Sequence, residues 1–176
     1  AYDWQHWPDT FRDVLAYYRL DVDRISPVHE VSRDLPPVLT FEQAEILLAG
    51  VSRTSKTPTS IYLANRGFKV ANIPLVVESP PPEALFGLRR PLVVGLTTAP
   101  ERLIQVRRNR LLSLNQAPET AYVDNERVAK ELQLARRMFA DNGWPVVDVT
   151  RRSIEEKAAA EINLLNERQA NGDDGQ

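Results

Sequence analysis

From Phe41 onward, short apolar runs alternate with longer stretches whose apolar residues recur at helical spacing. The run Glu45–Ala49 (EILLA), bounded by a glycine loop, predicts a strand buried on both faces. Pro58 to Arg66 predicts a helix, with proline tolerated in the first turn and Gly67 suited to the stop. Phe68 to Val77 predicts a second strand, and Pro80–Pro81–Pro82 a rigid loop. Pro91 to Thr97 (PLVVGLT) predicts a third strand, followed by an amphipathic helix over Glu101 to Leu112. A long helix is expected from Asn125 to Asn142, then a strand over Trp144 to Val149 and a last helix over Ser153 to Arg168. Ser153 and Glu156 have the spacing of a capping box, in which each side chain satisfies a free helix N–H. Strand alternating with helix implies an α/β fold of three layers with a mostly parallel sheet.

Three segments follow from this pattern. Residues 1–40 form an aromatic-rich appendage and linker, with a short helix expected over Thr10 to Arg19 and a turn-prone stretch from Ser32. Residues 41–169 form the main domain. Residues 170–176 (ANGDDGQ) carry no apolar face and are expected to be disordered.

Composition narrows the chemistry. The chain has 176 residues, 43% apolar, enough for one substantial core. A net charge of −2 gives no general attraction to nucleic acid or anionic membrane. Without cysteine there are no thiol sites, and with only His6 and His29 a histidine-based metal site or triad is disfavoured. No apolar run reaches the ~18 residues that span a bilayer, and residues 1–30 lack a secretory pattern. A soluble, cytoplasmic protein is expected.

The loop after the first strand, GVSRTSKTPTS, carries the candidate chemistry. Gly50, Lys56 and Thr57 fit the spacing G-x-x-x-x-G-K-[ST] of a phosphate-binding loop, with Ser55 where the second glycine belongs. In such a loop the backbone N–H groups and the helix dipole hold phosphate, the lysine reaches the terminal oxygens and the threonine ligates magnesium. Ser52, Thr54 and Ser55 add hydroxyls, and Arg53 a second charge. The serine substitution argues instead for an ordinary polar loop, because that position often needs backbone angles that suit glycine.

Other candidates each carry two readings. Asp148, at the end of the fourth strand, orients magnesium or accepts a proton, or else caps the turn that follows. Asp124 is better read as a helix N-cap. Arg151 and Arg152 clamp a phosphate or a protein target, or stand solvated. Arg107 and Arg110 share a helix face, for which solvation is the default and contact with a transferred phosphoryl group the alternative. Trp144 is read as core.

The stretch AGVSRTSKTPTSIYLANRGFKVANIPLV (Ala49 to Val76) resembles the regulatory proteins of pyruvate, phosphate dikinase and phosphoenolpyruvate synthetase. Further blocks follow in the same order: ESPPPEALF, VGLTTAPERLIQVRRNRL, AYVDNERVAKELQLARRMF and WPVVDVTRRSIEEKAAA. Under that resemblance Ser55 is the family's habit, and the domain is of the phosphate-loop kinase type. The resemblance implies a bifunctional enzyme. As a protein threonine kinase it transfers phosphoryl from ADP and inactivates its target; as a phosphorylase it uses inorganic phosphate to remove that group and release pyrophosphate.

By position, Gly50, Val51, Ser52, Arg53, Thr54, Ser55, Lys56 and Thr57 would hold the ADP phosphates, and Thr57 the Mg2+. Lys56, Asp148 and Arg151 are the candidate catalytic residues. The expected partner is the dikinase or the synthetase, with a homodimer among the assemblies the reading allows. Two departures stand out. The family carries a further α/β domain ahead of the loop domain, which residues 1–40 do not resemble. Lys157 stands where the family's last helix has threonine. An ADP-binding interaction module without transfer, and a small-molecule phosphotransferase, are the alternatives.

Overall fold

The computed structural model describes residues 41–77, 79–115, 117 and 120–172. The expected appendage with its helix, and all but the first three residues of the expected tail, lie outside the described residues. Among these, four strands form one parallel sheet: β1 (Ile46–Gly50), β2 (Val70–Pro74), β3 (Leu92–Thr97) and β4 (Val146–Asp148). Four helices connect them: α1 (Lys56–Ala64), α2 (Pro100–Ser113), α3 (Asn125–Asp141) and α4 (Ile154–Ala170). The strand order is β2-β1-β3-β4, and every pairing is parallel.

The central strands are the most apolar, and every residue of β1 and β3 is buried. Burial on both faces explains why these runs are continuous rather than alternating. On one face Leu47, Ala49 and Val93 pack against Leu103 and Leu111 of α2 and Val128, Leu132 and Phe139 of α3. On the other, Ile46, Leu48 and Val94 pack against Leu63 of α1 and Ala158 and Leu165 of α4. The three-layer α/β expectation is met.

The predicted helices and strands are present, with boundaries moved by local chemistry. Helix α1 begins at Lys56, so Pro58 still lies in the first turn, where a missing N–H costs nothing. It ends as Phe68 N–H donates to Leu63 O (3.2 Å) across Gly67, whose φ of 92° needs a glycine. That closure delays β2 to Val70 and shortens the expected strand. Likewise Trp144 N–H donates to Phe139 O (2.9 Å), completing the α3 terminus and leaving only Val146–Asp148 as strand. Trp144 is half-buried, stacked on Phe86 with centroids 6.0 Å apart and tilted against Phe139 at 6.3 Å. Asp124 caps α3 by accepting from Arg127 N–H (2.8 Å), and the Ser153–Glu156 capping box is complete.

The chain leaves β1 toward β2 on one side and later returns to β3 on the other. The C-terminal ends of β1 and β3 therefore border the crevice where open parallel sheets place their ligands.

Gly95 shows how tightly α3 sits on β3. A Cβ there would lie 2.5 Å from the Phe139 ring, too close for any real contact. Gly95→Ala should destabilise the fold by ~1–3 kcal/mol in urea unfolding, the usual cost of overpacking a core. Adding Phe139→Leu should recover part of the loss; equal stability of wild type and Gly95→Ala would contradict this packing.

Candidate functional site

The loop between β1 and α1 is built around two residues with side chains in the left-handed region, Arg53 (φ 72°) and Ser55 (φ 63°). Ser55 thus takes the unusual angles its position demands without being glycine. Successive turns of this kind direct backbone N–H groups into a concavity that suits an anion. Gly50 is required for a different reason. A Cβ there would lie 2.7 Å from Thr54 Oγ1 and 2.9 Å from Leu96 O, so only glycine lets the loop close against β3.

Buried Thr54 donates to Val51 O (2.9 Å), pinning the loop from within. Lys56 Nζ folds under it and donates to Gly50 O (2.8 Å) and Val51 O (2.9 Å). Burial, with the Arg107 and Arg53 charges nearby, lowers the Lys56 ammonium to about 8. Ser55, at the N-cap of α1, makes no side-chain cap bond, whereas α3 and α4 are capped by Asp124 and Ser153. The N-terminus of α1 therefore keeps its first-turn donors and positive dipole end for a ligand. Thr57 is exposed in that first turn. These features fit a diphosphate with a hard cation that keeps most ligands from water and phosphate.

The opposite wall of the loop is held by a residue whose default reading was wrong. Arg107 is not a solvated helix charge; it is 1% exposed. Its guanidinium donates to Tyr122 O (3.0 Å) and Ser52 O (3.4 Å), pairs with Glu131 (2.5 Å), and lies 4.4 Å from the Tyr122 ring centroid. The Ser52 and Tyr122 hydroxyls also share a hydrogen bond of 2.8 Å. Sequence reasoning missed this clamp, although a signal existed. Arg107 falls in the apolar stripe Leu103–Ile104–Leu111 of α2, the face that must be buried.

Across the crevice, Asp148 accepts from the Thr150 amide (2.8 Å) and the Thr150 hydroxyl. Partial burial pushes its carboxyl up, but Thr150 and the Arg136 and Arg152 charges outweigh this, and it lies below the usual carboxylate range. Its geometry is that of the turn cap. Arg151 and Arg152 are exposed on the next turn and line a cavity of about 270 Å3 beside Arg53 and Ser55.

Lys157 of α4 enters the same cavity and donates to Ser55 Oγ (3.2 Å), a contact between residues far apart in the chain that spacing could not reveal. One turn on, Glu161 is fully buried and neither of its oxygens has a hydrogen-bond partner. The described residues contain no cluster of three His, Cys, Asp or Glu that could hold a metal.

A phosphate-binding loop at a parallel-sheet switch point, followed by an uncapped helix, defines a phosphate-loop α/β domain. The sequence matches the kinase/pyrophosphorylase family over residues 36–162, and the chain belongs to that family. It is 81% identical over 135 residues to a protein of Novosphingobium aromaticivorans, covering 77% of this chain and 48% of that protein. A protein of Rhizorhabdus wittichii is 75% identical over 161 residues, covering 90% and 57%. One of Caulobacter vibrioides is 60% identical over 124 residues, covering 70% and 39%. All three carry the name pyruvate, phosphate dikinase regulatory protein. The chain spans about half the length of the curated relatives it matches.

Two outcomes test the wiring. Glu131→Ala should cost ~3 kcal/mol in denaturant unfolding, because it strands the buried Arg107 charge; a loss under about 1 kcal/mol would contradict the clamp. Burial raises the Glu161 carboxyl from 4.5 to about 8, against the opposing Lys157 charge. The folded state therefore holds the extra proton in that window, and stability falls as pH rises through it. Glu161→Gln should melt with wild type near pH 5 and above it near pH 8.5, whereas parallel melting profiles would refute the raised carboxyl.

Proposed function

We propose that this chain is the phosphoryl-transfer domain of a regulator of pyruvate, phosphate dikinase, with the loop Gly50–Thr57 holding the phosphates of ADP. The observation that carries the reading is the uncapped α1 terminus behind a loop with two positive-φ residues and a buried lysine. Family membership and the printed names of the relatives support the target.

In the kinase direction, a threonine Oγ of the dikinase attacks the β-phosphorus of ADP, the bond to the bridging oxygen breaks, and AMP leaves. In the phosphorylase direction, an oxygen of inorganic phosphate attacks the phosphothreonine phosphorus. The threonine oxygen leaves and takes a proton, and pyrophosphate is released.

In this reading the loop amides and Lys56 balance charge on the transferring group, which is where most of the rate gain in such reactions arises. To do so Lys56 leaves the Gly50 and Val51 carbonyls for the phosphate oxygens, and an anion restores the ammonium that burial disfavours. Mg2+, held by Thr57 and the phosphates, would supply further charge neutralisation. Asp148, exposed and held low by Thr150, is the candidate acceptor of the threonine proton. Arg151 faces the same crevice and would steady the transferred group. No helix among the described residues is long and apolar enough to cross a membrane.

Calorimetric titration with ADP, ATP and AMP in the presence of magnesium tests the loop. ADP should bind most tightly, and Lys56→Ala should weaken it by ~100-fold, the loss expected for a buried charged contact, without lowering the melting temperature. Absence of ADP binding to wild type would overturn the reading. Incubation with β-labelled ADP and the dikinase then separates an enzyme, which labels a threonine, from an interaction module, which does not.

A further inference from the structure

The cavity beside the loop holds a charge pattern that ADP phosphates in the loop leave unused. Arg53, Arg102, Arg151, Arg152 and Lys157 line it, and no carboxylate does. The arginines are exposed and by themselves would be an ordinary solvated patch. Lys157 is different, because it is 6% exposed. Its ammonium has three donors, and the hydrogen-bond acceptor it meets is Ser55 Oγ at 3.2 Å.

The acid one turn away does not relieve it. Both Glu161 oxygens are without a hydrogen-bond partner, so the two side chains, although on one face of α4, are not joined. Burial lowers the Lys157 ammonium, with Arg102 adding to that effect and Glu161 opposing it. A buried cation with donors to spare, aimed into a cavity ringed by four guanidiniums, is stabilised by an anion entering that space. At about 270 Å3 the cavity has room for a tetrahedral anion, and the Thr98, Thr150 and Ser153 side chains add hydroxyl donors.

We propose that this cavity, between the β3–α2 and β4–α4 turns, is a second anion subsite that seats a phosphate dianion on Lys157 and Arg102 beside the loop. The inference rests on the reading of the loop as the nucleotide's own phosphate site, since it makes this subsite the second of two. The dianion is either free phosphate or a phosphoryl group on a protein side chain. Through Ser55, the occupant of one site touches the wall of the other, so Lys157 positions the two phosphates relative to each other.

The test is calorimetric titration of the full chain with inorganic phosphate and with O-phosphothreonine at constant ionic strength. Wild type should bind at least one of them, and binding of only one names the source. Lys157→Met should weaken that affinity about tenfold or more, the effect of removing a charged hydrogen-bond donor. Arg102→Ala, at an exposed position that cannot disturb the core, should weaken it several-fold. Absence of binding to wild type, or affinity unchanged in both variants, would overturn the proposal. So would affinity that follows Lys56 and ignores Lys157, which places the anion in the loop, or competition by adenosine, which assigns the cavity to the nucleoside. Failure of ADP to bind, with phosphate still dependent on Lys157, would sink the loop reading and leave this site standing.

Discussion

The site depends on holding two residues with side chains, Arg53 and Ser55, in backbone angles they do not favour. Each such residue costs on the order of 1–3 kcal/mol, so the surrounding structure has to over-determine the loop. It does so from several sides. Gly50 lets the loop close onto β3, Thr54 and Lys56 bind its carbonyls from inside, and Arg107 reaches Ser52 O from α2. Arg107 is itself fixed by Glu131 of α3 and by Tyr122. The helices that cover one face of the sheet therefore also fix the loop, and core packing and site geometry are one problem.

Much of this was legible in the sequence because it follows from period and punctuation. The continuous apolar runs could only be strands buried on both faces, and the serine at position 153 with glutamate three residues later announced a helix start. The loop was visible as a spacing. Its third dimension was not, because Ser55's angle depends on the neighbours it packs against. Short strands were overestimated at Trp144 and Phe68, where backbone donors are drawn into closing the preceding helix.

The residues that sequence reading undervalued share one property. Arg107, Lys157 and Glu161 are charged, yet each occupies the buried stripe of its helix, among Leu103 and Leu111 in α2 and Ala158 and Leu165 in α4. A charged residue at a core position of the helical period is rarely buried without a partner or a task. Arg107 has its partners in the loop and Glu131. Lys157 reaches the loop from the opposite helix layer, so the two faces of the sheet meet chemically at Ser52 and Ser55. An α/β domain that concentrates cations at one end of its sheet suits reactions in which phosphate charge has to be balanced rather than covalent chemistry performed.

The central claim is that the backbone of Gly50 to Thr57 and the N-terminus of α1 receive the phosphates of ADP. The most direct measurement is a 15N amide chemical-shift titration of the chain with magnesium and ADP. The account predicts the largest shifts at Ser55, Lys56 and Thr57, with smaller ones at Val51 and Ser52 and almost none along α3. Largest shifts outside the β1–α1 loop, or none under saturating ADP, would contradict it.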